Sequence, residues 1–388
     1  MKWVKFRHKI VFALLRPAFA ALFKVKFNYR AKRSGIKAPC LILSNHQSSF
    51  DPFFLALSFR SPIYFMASDD LFTHKIISPI IRHLVAPIPK TKSVRDFQAV
   101  RTTVSVLNKG GMVGIFPEGN RTYTGSPCYI DPSVTKLVKL SKVPLVLYNL
   151  RGGFGGDPRF ARNGRRGRMS GEVVRVLLPE QYSAMTEDEL YGVITQTLYV
   201  EETVSGIRFK SKRRAEYLER VLHRCASCGS VGTLASAGSY IRCGKCGMTA
   251  EYTEKLSFRL VTGSRAFPNV KKWYDWQQEA LSLELSAGEY RGKEVFSDEN
   301  VRLFVYRKGE RKRLLDCGRV SLGEKGFMFK GSDERGFPVS EVSAATALGK
   351  NKLNFYVGGD IYQLKGDARF NSLKYFDLFD LLKAESRS

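Results

Sequence analysis

Negative charge is what this 388-residue sequence has least of: 36 Asp and Glu stand against 63 Lys and Arg, a net charge of +27. The first fifty residues hold eleven Lys or Arg and no acid, Asp51 being the first. A balance this basic calls for an anionic partner, either nucleic acid or a membrane surface rich in acidic lipid. Long apolar runs are missing as well. The stretch Ile10 to Phe23 is broken by Arg16-Pro17 and falls short of the roughly twenty residues a spanning helix needs, which argues against a transmembrane segment. Ala18-Phe19-Ala20 mimics a signal cleavage site, but the apolar run ahead of it is too short for an export signal. The sequence also lacks a Gly-x-Ser-x-Gly elbow and a Gly-x4-Gly-Lys loop, which argues against a serine acyl-enzyme and a P-loop nucleotidase. It shows no internal repeat and no long low-complexity tract.

What is present begins with an amphipathic pattern. Lys2, Lys5, Lys9 and Arg16 fall near one helical face, and Trp3, Phe6, Ile10 and Leu14 on another. This predicts a helix, or a kinked pair of helices, lying in the membrane plane over residues 1–30. A chain of this length, 44% hydrophobic, implies two or three domains.

The chemistry gathers around Leu43 to Phe54. Pro39 to Leu43 reads as a short buried strand, and Pro52 with the apolar residues after it opens a helix for which Asp51 is a natural N-cap. His46 therefore falls in a strand-to-helix loop. An imidazole takes a proton near neutral pH when a carboxylate fixes its tautomer, and Asp51 is positioned to do so. A lone His is more often structural and an Asp before Pro more often a cap, so the pair needs a second signal. Downstream, Phe116-Pro117-Glu118-Gly119-Asn120-Arg121 follows another apolar run. It supplies a carboxylate, a residue that permits close backbone approach and a guanidinium suited to phosphate.

Together these stretches resemble the glycerol-phosphate acyltransferase family, which is marked by Asn-His-x4-Asp, then Phe-Pro-Glu-Gly-x-Arg about seventy residues on, then a Val-Pro strand. Here the matching residues are Asn45, His46 and Asp51; Phe116, Pro117, Glu118, Gly119 and Arg121; and Val143-Pro144-Leu145-Val146. The resemblance covers roughly residues 25 to 200. It implies acylation of 1-acylglycerol 3-phosphate, the lysophosphatidic acid of membranes, to phosphatidate. The donor would be acyl-coenzyme A or acyl-carrier protein, and the site the cytoplasmic face of the cell membrane. His46, held by Asp51, would be the general base. Arg121 and Lys90 would bind the acceptor phosphate, Glu118 and Gly119 would shape the pocket, and Asn45 would support the histidine loop. Two positions depart from the family. Lys90 stands where an Arg is expected, keeping the charge but losing the bidentate fork, so another lysophospholipid is an alternative acceptor. Leu147 replaces a common second proline, a packing variant.

The remaining pattern predicts an α/β domain, a mixed, mostly parallel sheet flanked by helices, over residues 31–205. Strands are expected at Val25 to Arg33, Ile63 to Met66, Val143 to Leu147 and Glu172 to Leu178. Helices are expected at Lys75 to Leu84, Val94 to Leu107 and Ser133 to Leu140, with a capping box at Thr186 opening a last one. Arg151 to Arg168, with six arginines and one acid, is a weak candidate for membrane contact.

After a basic linker helix (206–224), Cys225-x2-Cys228 and Cys243-x2-Cys246, each pair followed by glycine, have the spacing of a four-cysteine zinc ribbon over residues 225–254. Two disulfides are the competitor, disfavoured without an export signal. Cys40, Cys128 and Cys317 are isolated. A connecting segment (255–293) carries a helix from Val270 to Leu285. Residues 294–388 then read as short strands closed by a helix from Phe370 to Lys383, a pattern resembling a pleckstrin-homology-like barrel. A non-enzymatic nucleic-acid-binding protein using ribbon and charge is the rival reading. Against it, no clustered row of aromatics is present for base stacking, so no nucleic acid is expected.

Overall fold

Three short strands of almost unbroken apolar sequence set the architecture: β2 (Cys40–Ser44), β5 (Met112–Ile115) and β6 (Leu145–Arg151). Side chains on both faces of these strands are buried, the pattern of a parallel sheet covered on either side. The computed structural model describes residues 3–68, 86–90, 96–307 and 310–385; the predicted helix Lys75 to Leu84 lies outside the described residues. The chain divides into two units, one of residues Met1–Arg159 and Asn163–Ser211, the other of Phe160–Arg162 and Lys212–Ser388.

In the first unit the seven strands run in the order β1 (Tyr29–Ala31), β7 (Met169–Leu177), β6, β2, β5, β3 (Ile63–Ser68) and β4 (Ile88–Lys90). From β6 to β4 all neighbours are parallel, while β7 is antiparallel to β6 and β1 follows β7. The C-terminal ends of these parallel strands therefore lie at one edge, where such sheets bind ligands. Helices α3 (Phe97–Asn108), α4 (Val134–Ser141) and α5 (Glu187–Leu198) bury Val106, Val138 and Ile194 against Leu41, Val113 and Leu145. Asp96 and Thr186 cap α3 and α5 by accepting from Ala99 N and Glu189 N.

The N-terminal segment is one helix, α1 (Phe6–Phe27), with Pro17 inside it. It overruns the strand predicted from Val25, leaving only Tyr29–Ala31 extended. The reason is Phe23 and Phe27, spaced i, i+4, which pack on Phe54 and Phe50 with ring centroids 4.8 and 5.1 Å apart. Arg16 also turns inward, donating to Leu57 O at 2.9 Å, so it leaves the basic face expected of it. The outward face carries Ile10, Leu14, Ala21 and Val25 in exposed positions.

Residues 206–224 form no α-helix; the only helical turn is the 3-10 turn Leu218–Arg220. Their backbone groups bond elsewhere, Lys210 with Arg166 and Ala215 with Gly238. In the second unit β8 (Leu234–Ala237), β9 (Tyr240–Cys243), β10 (Thr249–Tyr252) and β11 (Phe258–Thr262) make a four-stranded sheet, followed by α6 (Val270–Ser286) with Trp273 fully buried. A seven-stranded antiparallel sheet follows, made of β12 (Glu294–Tyr306), β13 (Arg313–Gly323), β14 (Gly326–Lys330), β15 (Glu334–Pro338), β16 (Val342–Leu348), β17 (Lys352–Val357) and β18 (Asp360–Lys365), in the order β15-β14-β13-β12-β18-β17-β16. The single strand expected from Phe337 to Val342 is instead the end of β15 (Glu334–Pro338) and the start of β16 (Val342–Leu348). Helix α7 (Ser372–Glu385) ends the described chain and buries Leu373, Leu378, Phe379 and Leu382.

Candidate active site

The loop from β2 to α2 (Asp51–Ala56) turns back on itself because Asp51 collects its donors. One carboxylate oxygen of Asp51 accepts from Gln47 N at 2.6 Å and Ser48 N at 2.9 Å, and lies 2.8 Å from His46 Nδ1. Asp51 does not act as the predicted N-cap. It is the first helical residue, follows Phe50, and spends its side chain on the loop. Two backbone N–H groups already donate to that oxygen, so Nδ1 is assigned as the protonated ring nitrogen and Nε2 as the one with an open lone pair. The imidazole stacks on Phe116, centroids 4.3 Å apart, and its side chain keeps 19% of its exposure. It is fixed on one side and reachable on the other.

The Phe-Pro-Glu-Gly turn supplies the second wall. Gly119 N bonds to Phe116 O at 3.0 Å across Pro117-Glu118, and Gly119 takes a φ of +66°, where a side chain would be strained. The turn points Glu118 inward. Its carboxylate accepts from His46 N at 2.8 Å and Cys128 N at 2.6 Å, and burial pushes its pKa up to about 8. Asn45 is likewise a backbone clamp: its amide donates to Leu150 O at 2.9 Å and accepts from Leu150 N at 2.7 Å, tying the histidine loop to β6. Arg121 lies against Asp157, Nη1 to Oδ2 being 3.6 Å. Lys90 is exposed at the end of β4, three strands from β2, about 14 Å across the sheet at the usual strand spacing.

Three partners of this loop, Glu202, Gly153 and Asp157, were not legible beforehand. Gln47 donates to Glu202 at 3.2 Å and accepts from Gly153 N at 2.9 Å; Glu202 also accepts from Gly152 N at 2.7 Å, and burial raises its pKa. Asp157 accepts from Ser49 N at 3.1 Å and Ser49 Oγ at 2.5 Å. All of these come from the Gly and Arg loop or from the chain beyond it. That loop is only in part a solvated charge run, with Arg151, Arg162, Arg166 and Arg168 exposed. Arg159 and Arg165 are buried, and Gly155 and Gly167 close on the ring of Phe209, where any added Cβ would overlap it.

In the second unit the sulfurs of Cys225, Cys228, Cys243 and Cys246 all lie within 4.8 Å of one another, and none is bonded to another. The pairs Cys225/Cys246 and Cys228/Cys243 are 3.7 and 3.9 Å apart. A tetrahedral ion with metal–sulfur bonds of ~2.3 Å has edges of about 3.8 Å, so the set fits one such ion. Gly229 N and Gly247 N bond back to Cys225 O and Cys243 O, each at positive φ, which forms the two knuckles.

Comparison with known proteins bears on the first unit. Residues 23–147 match the family model described as Acyltransferase. Two curated relatives, both named 1-acyl-sn-glycerol-3-phosphate acyltransferase, are 25% identical: one from Bacillus subtilis over 136 residues (35% of this chain, 65% of the relative), one from Borreliella burgdorferi over 117 residues (29% and 47%). The chain thus spans less than two thirds of the length of either. A solved structure, the 1-acyl-sn-glycerophosphate (LPA) acyltransferase of Thermotoga maritima, aligns with 19% identity and a TM-score of 0.42 over 49% of this chain and 79% of its own. The matched stretch contains His46, Asp51, Glu118 and Arg121 and stops short of Asp157, Arg159 and Glu202. It is residues 23–147 of this chain, then, that are similar to an acyltransferase domain.

Proposed function

We propose that this protein transfers a fatty acyl group from a thioester donor, acyl-coenzyme A or acyl-carrier protein, to the sn-2 hydroxyl of 1-acylglycerol 3-phosphate. The observation that carries this reading is the 2.8 Å contact of His46 Nδ1 with a buried Asp51, in a loop walled by Glu118. Nε2 removes the proton of the acceptor hydroxyl as its oxygen attacks the thioester carbonyl. The tetrahedral intermediate collapses with loss of the thiolate, which takes the proton back from the imidazolium. An ester bond forms and a thioester bond breaks, with no net change in charge. Arg121 binds the acceptor's phosphate, and Lys90 adds positive potential along the same sheet edge. Asn45, Glu118 and Gly119 hold the wall in place.

Three further parts belong to this reading. Among the described residues no helix is long and apolar enough to cross a membrane, and the outward stripe of α1 is suited to lie in the surface of an acidic bilayer, as a peripheral or monotopic anchor. The four cysteines hold a structural zinc ion that takes no part in the reaction. The C-terminal β unit is a pleckstrin-homology-like barrel, and the fold alone assigns it no ligand. The test is mass spectrometry of lipid products after purified protein is incubated with lysophosphatidate and an acyl thioester. Phosphatidate in a His46-dependent yield is expected; its absence with active donor and folded protein refutes the assignment. Because Lys90 replaces an Arg, a panel of lysophospholipid acceptors decides which headgroup is preferred.

A further inference from the structure

Resting on that reading of the reaction, we propose that Glu202 is a positioning residue for the base: it touches no reacting atom, and it aims His46 by closing a ring of hydrogen bonds around it.

Glu202 opens a 3-10 turn (Glu202–Val204) just beyond α5, 155 positions after Gln47. It is 1% exposed, and its Oε1 accepts from Gly152 N at 2.7 Å and from Gln47 Nε2 at 3.2 Å. Gln47 is equally buried, and its own Oε1 accepts from Gly153 N at 2.9 Å. A Cβ on residue 153 would stand 2.7 Å from that of Gln47, so glycine is needed there to admit the amide. The side chain of Gln47 is thus pinned at both ends. Its backbone N–H donates to Asp51 Oδ2 at 2.6 Å, the same oxygen that lies 2.8 Å from His46 Nδ1.

A second arm runs through the backbone. Glu202 N donates to Gly125 O at 2.8 Å, Gly125 N to Thr122 Oγ1 at 2.9 Å, and Thr122 N to His46 O at 2.9 Å. The two arms meet on one peptide group, between His46 and Gln47: its oxygen takes Thr122 N, and its N–H serves Asp51. A planar peptide held at both ends fixes the direction in which His46 leaves the backbone, and so the line along which Nε2 meets an acceptor hydroxyl.

The ring needs an acceptor oxygen from Glu202, with no call for its negative charge. Burial raises the pKa of this carboxyl, and the charge of Asp51 adds to the rise. Oε2 is buried and has no hydrogen-bond partner among the described residues, so a carboxylate here would hold charge on an oxygen that nothing meets. An amide in its place keeps Oε1 as it is.

The experiment uses the full-length protein and the variants Glu202→Ala, Glu202→Gln and Gln47→Ala. E202A should lower kcat about tenfold or more and leave the KM for lysophosphatidate within about threefold, because aim of the base matters in the transition state and the acceptor's own contacts are untouched. E202Q, which keeps the acceptor oxygen, should rescue kcat to within about threefold of the wild type. Q47A should fall as E202A does, and the double variant no further than the larger single loss, since both cut the same arm. In proton NMR the His46 Nδ1–H resonance, identified by its absence from His46→Ala, should shift or broaden in E202A and Q47A and stay in place in E202Q. A folded E202A or Q47A that melts lower but keeps both kcat and that resonance makes Glu202 a purely structural residue and overturns the proposal. An equal loss in E202Q, or losses that multiply in the double variant, overturns it as well. If E202A does not fold, Q47A and E202Q decide by the same criteria. If the wild type makes no phosphatidate, the acyl-transfer reading fails, while the imidazole resonance still tests the positioning by itself.

Discussion

At the scale of single residues, His46 and Asp51 form one hydrogen-bonded pair, and the substitutions that test their proposed roles are His46→Ala and Asp51→Asn. The first removes the proposed base. The second keeps shape but turns one amide N–H toward donors, spoiling the tautomer and the loop together. Each should lower acyl transfer by about 10²–10⁴-fold, measured as initial rate with saturating donor, with the His46→Ala protein still cooperatively folded. A retained rate in H46A removes the imidazole from the mechanism. Glu118 gives a pH prediction. Its carboxyl has a native pKa of about 8, above the ordinary value of 4.5, so in that window the native state binds more protons than the unfolded state. Its contribution is present in acid and is lost as pH rises through about 8, with a slope of up to about 1.4 kcal/mol per pH unit. Glu118→Gln should flatten the fall in stability between pH 5 and 8, read by denaturant titration at each pH. An equal slope in both proteins rejects the buried-acid account.

At the scale of elements, α1 has two faces with opposite duties. Phe23 is buried among Phe50, Phe53 and Phe54, so Phe23→Ala should cost about 3–5 kcal/mol of stability. Leu14→Glu on the outward face should leave melting nearly unchanged and weaken flotation with acidic liposomes; intact flotation argues against an in-plane anchor. The same helix shows where sequence is readable. The heptad-like spacing of Phe23 and Phe27 was present, but Val25 and Tyr29 also suit a strand, and only packing on α2 decides between them. His46, Asp51, Glu118 and Arg121 were legible because each lies within a few residues of a strand end, and parallel strands bring their ends to one edge. Asp157, Arg159 and Glu202 were not, since their partners stand roughly 40 to 155 positions away and no local periodicity encodes such pairings. The linker helix failed for a related reason: a basic composition fits a helix, but these residues bond across to distant backbone.

At the scale of the whole molecule, the proposed chemistry and the cysteine cluster that would hold a metal fall in different units. Every contact of His46 and Arg121 described above is made by residues of the first unit, whereas the cysteine cluster belongs to the second. A structural zinc site stabilises folding outright, because its ligands are not preassembled in the unfolded chain. Its loss should therefore act on one unit and spare the reaction. Purified protein should carry one zinc per chain by elemental analysis. Chelation, or Cys243→Ser, should lower a second-unit melting transition by ten degrees or more in calorimetry, and acyl transfer assayed below that transition should stay within threefold. Protein that holds no zinc and melts the same with or without chelator would remove the metal from the ribbon. Proportional loss of acyl transfer with zinc would show that the second unit is needed for the chemistry of the first.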